Sequence, residues 1–175
     1  MHLHRPHHPR RAARAAVAGL AAAACVGAVA VPTANAVTPR CTVPHLKGSF
    51  KNASAGAGSR FITLALKNTS SKSCSLFGYP GAQLLSKSGK DIPTNVVRDR
   101  SRTTKTIVLA PGQSGLSQWR WGAIPGRGEP VSGKCEPTPS KIEVTPPNAT
   151  SHLVLPWKGG SVCEHGQITV RPMTK

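Results

Sequence analysis

Beyond residue 36, no stretch of this chain sustains a 3.6-residue apolar period. Glycine and proline recur too often for a long helix. What remains is a series of short apolar runs of strand length, divided by turn chemistry. Residues 60–67 alternate, with Ile62, Leu64 and Leu66 on one apolar face and Phe61, Thr63 and Ala65 on the other. Residues 74–77, 82–85, 106–109, 116–121, 141–144, 151–155 and 167–170 read as further strands. Trp119 and Trp121 share one face of their strand, and Arg120 takes the opposite face. The expectation is an all-β fold, an Ig-like antiparallel β-sandwich with two disulfides.

The breaks between strands carry their own signals. Asn68-Thr69-Ser70-Ser71 is a turn cluster, and residues 86–90 read as a hairpin turn. Ala110-Pro111-Gly112-Gln113 has proline and glycine where a type II turn needs them. Residues 122–139 form a long loop. Residues 91–105 are polar and basic and read as a loop or exposed edge.

The first 36 residues read as an address rather than as structure. Arg5, Arg10, Arg11 and Arg14 precede an alanine-rich apolar run over 15–31, and Ala34-Asn35-Ala36 forms an A-x-A cleavage signal. The expected domains are a cleaved signal peptide, 1–36, and a single β-sandwich, 37–175. The protein is then secreted, with no stable membrane insertion after cleavage. His2, His4, His7 and His8 leave with the signal, as does Cys25. Past residue 36, nineteen Lys and Arg stand against six acids, a formal charge of +13. Such a surplus favours anionic surfaces. For an exported protein the natural partner is an anionic cell-wall polymer or a protein, and nucleic acid is not expected.

Export also sets the reading of the cysteines. Cys41, Cys74, Cys135 and Cys163 are even in number, contain no C-x-x-C and have no histidine pair beside them. They read as two disulfides and not as a metal site. Three pairings are open to sequence. Cys41–Cys74 with Cys135–Cys163 is favoured because each bridge then closes a moderate loop.

The segment Asn68-Thr69-Ser70 followed by Cys74-Ser75-Leu76-Phe77-Gly78-Tyr79-Pro80-Gly81 resembles the secreted actinobacterial family catalogued as domain of unknown function 4232. The likeness continues through residues 109–114, the Trp119/Trp121 strand, Cys135, the Ile142/Val144 strand and Cys163, and so covers residues 41–172. It implies an exported Ig-like β domain with no assigned reaction, and it carries over no catalytic residue.

Chemistry-bearing patterns are sparse. Gly112-Gln113-Ser114-Gly115 is one residue short of the G-x-S-x-G nucleophile elbow and lies between strands instead of before a helix. No phosphate-cradling glycine loop or dinucleotide signature is present, and no cofactor is expected. Glu136 and Glu164 each follow a cysteine, so a Cys135–Cys163 bridge could make them neighbours. The alternative function, a small hydrolase or inhibitor domain, would use that pair. The tryptophans either pack in the core or form an exposed ligand platform. The principal reading is a non-enzymatic β-sandwich with an anion-binding segment at Arg98, Arg100, Arg102 and Lys105. If that segment is extended, its three arginines lie on one face, about 6–7 Å apart. A purely structural domain is the third reading.

Overall fold

The computed structural model describes residues 37–175. The leader reading, Cys25 and the four N-terminal histidines lie outside the described residues. Ten strands account for most of the regular structure: β1 (Leu46–Gly56), β2 (Ser59–Asn68), β3 (Cys74–Phe77), β4 (Gly81–Leu85), β5 (Asn95–Arg98), β6 (Thr106–Leu109), β7 (Ser114–Gly122), β8 (Lys141–Thr145), β9 (Leu153–Pro156) and β10 (Gln167–Val170). They form a five-stranded sheet ordered β1-β2-β7-β10-β5, a three-stranded sheet β4-β8-β9 and a two-stranded sheet β3-β6. All pairings are antiparallel except β10 with β5, which run parallel. The arrangement is all-β and compatible with an Ig-like sandwich.

One core joins the sheets. Leu64, Leu66, Trp119, Trp121, Ile168 and Val170 come from the five-stranded sheet. They meet Leu76, Leu84, Leu109, Ile142 and Val144 from the other two. Burying each Leu or Ile side chain stabilises by about 1.5–3 kcal/mol, so the alternation of β2 and β7 is what holds the layers together. On β7, Trp119 and Trp121 point inward while Gln118 and Arg120 are exposed.

Two cross-links and one buried amide secure the ends. Cys41 bonds Cys74, and Cys135 bonds Cys163. Asn68 ends β2 with its side chain fully buried. Its Nδ2 donates to the carbonyls of Lys72 (2.8 Å) and Leu109 (2.9 Å), and its Oδ1 accepts from the Ser70 amide (3.0 Å) and hydroxyl (2.8 Å). The turn cluster at 68–71 is therefore a side-chain-capped reversal. The Gln113 amide donates to the Ala110 carbonyl (3.0 Å), and Gly112 has φ +78°, as a type II turn requires at its third residue.

Candidate functional site

Residues 122–139 are anchored by an acid. Glu129 is 7% exposed. Its carboxylate accepts from three backbone amides, those of Gly126, Glu164 (2.9 Å) and His165 (2.7 Å). Glu164, His165 and Gly166 all have positive φ, 60°, 56° and 75°, which turns successive amides to one side as an anion-holding nest. Gly166 cannot carry a side chain: a Cβ there would stand 1.9 Å from the Pro93 carbonyl oxygen. Burial pushes the Glu129 carboxyl up. The amides of His165, Gly126 and Glu164 outweigh it and hold the group below its ordinary value.

This geometry bears on the acid pair expected at Glu136 and Glu164. The Cys135–Cys163 bridge forms, but the acid grouped with Glu136 is Glu129. Ligating atoms of Glu129, Glu136 and His165 lie within 4.8 Å of one another, with His165 Nδ1 3.7 Å from Glu136 Oε1. The Glu164 side chain instead lies against Gly122 and Gly126. Glu129 is occupied by amides and held as an anion, so it is a structural clamp. A general acid needs the opposite shift.

The second concentration of charge lies on the outer face of the five-stranded sheet. Two adjoining hollows of about 340 and 290 Å³ share Gln118 and Arg171 in their walls. Arg98 and Arg120 line the first, and Arg102 lines the second. Four arginines thus face one acid, Asp99. Arg171 Nε donates to Asp99 Oδ2 at 3.1 Å, and its Nη1 donates to Gln118. Ser101, through its hydroxyl and amide, and then Arg171 bring Asp99 down to about 2. Arg120 donates to the Ser59 hydroxyl (3.0 Å), and the Arg98 guanidinium carbon sits 5.6 Å from the centre of the Tyr79 ring. No acid lies within ion-pair distance of Arg98, Arg102 or Arg120 among the described residues.

The extended arginine row does not form. β5 ends at Arg98, and the Asp99 carboxylate accepts from the Ser101 amide (3.0 Å), which closes a turn. Arg98 and Arg102 reach the hollows. Arg100 and Lys105 are exposed and line neither hollow. The residues that sequence reasoning missed are Arg120 and Arg171. A signal was available, because alternation puts Arg120 opposite the tryptophans and Arg171 opposite Val170. The Thr169–Arg120 register then brings the two strands side by side.

The aromatic alternatives resolve to packing. Trp119, Trp121 and Trp157 are 0%, 3% and 5% exposed, so no tryptophan offers a surface platform. Tyr79 donates its hydroxyl to the Asp99 carbonyl at 3.1 Å and supports the turn beneath the groove. The G-x-S-G look-alike is the type II turn entering β7.

No curated protein and no solved structure matches the chain. The family described as Domain of unknown function (DUF4232) matches residues 41–174, a stretch that contains all four paired cysteines, every described strand and both arginine-lined hollows. The chain is a member of the DUF4232 family.

Proposed function

We propose that the protein is a secreted, non-enzymatic module that binds an anionic cell-surface polymer along the outer face of its five-stranded sheet. The observation that carries this reading is the groove of Arg98, Arg102, Arg120 and Arg171 opposed by the single acid Asp99. Guanidinium forks suit phosphate and carboxylate oxygens, because two parallel N–H donors meet two acceptors. Three of the four arginines have no carboxylate partner among the described residues to give up, so binding an anion breaks no ion pair at those three. The groove runs across strands and is open at its surface, which suits a repeating chain better than a small enclosed substrate. The two disulfides and the leader reading are compatible with work outside the cell.

The test is binding of poly(glycerol phosphate) to the purified protein. Arg98→Gln, Arg102→Gln and Arg120→Gln are combined, and Arg171 is spared because it holds Asp99. Affinity should fall at least about tenfold, the equivalent of 1.4 kcal/mol. The control removes equal charge outside the groove, at Lys87, Arg100 and Lys105, and should retain most of the affinity. Equal losses in the two triple variants would leave only a diffuse charge effect and refute the groove.

A further inference from the structure

A second concavity opens where the two layers meet. It lies between β1 of the five-stranded sheet and β9 of the three-stranded sheet, and it is apolar. Its larger chamber, about 460 Å³, is lined by Phe50, Ile62, Leu155 and Pro156. A smaller one, about 340 Å³, reaches Trp121, and the two share Ala53, Ile62 and Lys158. Both volumes fall in the range of ligand pockets. The cleft exists because β1 departs from regular pairing. Its register with β2 shifts between Lys51 and Ser54, and Asn52 takes φ +55°. Such a bulge bends an edge strand away from its neighbour. Gly48 lets β1 close down again on Leu155, whose Cδ1 would lie 3.0 Å from a Cβ at that position.

The chemistry of the walls is asymmetric. The floor is an aromatic cluster, with Phe50 edge-on to Trp119 (5.6 Å) and Trp157 (5.8 Å), and Trp157 against Trp121 (4.9 Å). The charged groups in the walls are Lys51, Arg60 and Lys158, all exposed, and no acid is among them. Arg60 is tied to the Gly159 carbonyl, which leaves Lys51 and Lys158 without a hydrogen-bonded partner among the described residues. Trp121 Nε1 is a buried donor with no partner among the described residues. Leaving such a donor unpaired costs about 1–3 kcal/mol.

We propose that this cleft binds a single-chain anionic amphiphile. The acyl chain would lie over Phe50, Ile62 and Leu155, and the carboxylate or phosphate head would sit between Lys51 and Lys158. The site shares Phe61 with the wall of the arginine groove but none of its arginines, and it stands whether or not the polymer reading does.

The probe is laurate, titrated below its micelle concentration into the purified protein and followed by calorimetry. Saturable one-to-one binding is expected. Dodecyltrimethylammonium, with the same tail and the opposite head charge, should bind at least about tenfold more weakly. Lys51→Glu combined with Lys158→Glu should weaken laurate about tenfold or more. Arg120→Gln should leave it unchanged, which separates this site from the groove. No saturable laurate binding would overturn the proposal. So would equal affinity for the two head groups, or binding only to phosphatidylglycerol vesicles and not to free laurate.

Discussion

Replacing Glu129 with glutamine tests the clamp on the long loop with almost no change of shape. The native carboxylate offers two acceptor oxygens to the amides of Gly126, Glu164 and His165. In Glu129→Gln one oxygen becomes an NH₂ donor facing an amide donor. One buried donor left unpaired costs about 1–3 kcal/mol, and turning the remaining charge-assisted bonds into neutral ones costs about 1 more. The expected loss is about 2–4 kcal/mol. With a urea m-value of about 2 kcal/mol/M, the unfolding midpoint should drop by about 1–2 M, with m unchanged and both disulfides intact. The pH dependence supplies a second reading. Glu129 titrates below its ordinary 4.5 in the folded protein, so its stabilisation is complete above that value and is lost as pH falls through the folded pKa. The gap between wild type and variant should be constant over about pH 5–7 and should narrow in more acidic solution. A midpoint shift below about 0.3 M, or a gap that widens on acidification, would refute the clamp.

Asn68→Ala removes four hydrogen bonds at a fully buried position and takes the side-chain amide donor from the Leu109 carbonyl, while the Lys72 carbonyl keeps the Ser70 hydroxyl. It should cost about 2–4 kcal/mol in urea unfolding, against under about 0.5 kcal/mol for Asn95→Ala on the exposed edge. Opening either disulfide by a Cys→Ala pair should cost about 3–4 kcal/mol, nearly the same for both, because the bridged cysteines are 33 and 28 residues apart. A large difference in cost would show that strain or residual unfolded structure, and not loop closure, sets the stabilisation. Gly166→Ala drives a Cβ into the Pro93 carbonyl, and it should lower the thermal midpoint more than Gly89→Ala, where a Cβ meets open space. Both glycines have positive φ, so their difference isolates the clash.

Alternation was enough to read the inner strands. β2, β8 and β10 put branched residues at alternate positions, and β7 does the same with Trp119 and Trp121, because burial on one side demands it. β1 was not legible. Its sequence, Leu46 to Gly56, is built of Lys, Ser, Asn, Ala and Gly around a single Phe, and most of it is exposed at a sheet edge where nothing enforces a period. β5 was read only as a loop or exposed edge for the same reason. Of three open disulfide pairings, the one favoured by loop size is the one that forms, and Pro111-Gly112 marks the type II turn. The site was half legible. The charge run marks Arg98 and Arg102 as anion-binding, but an extended run would have aligned Arg100 with them, and the Asp99 turn folds the run back instead. Arg120 and Arg171 join them only through the β7–β10 register, a pairing between residues about fifty positions apart that no local pattern encodes. Glu129 was hidden likewise, because its partners are amides at 126, 164 and 165, and amides carry no side-chain signature.

The central claim is that one groove on one face of the sandwich meets an anionic polymer. The most direct measurement is the amide chemical-shift footprint of the protein on titration with a short oligo(glycerol phosphate). The account predicts saturable shifts at Gln118, Arg120, Thr169 and Arg171 and through residues 97–102, which weaken steeply as salt is raised. Shifts scattered over Lys47, Lys67, Lys87 and Lys141, with none concentrated on the β7–β10 face, would contradict it.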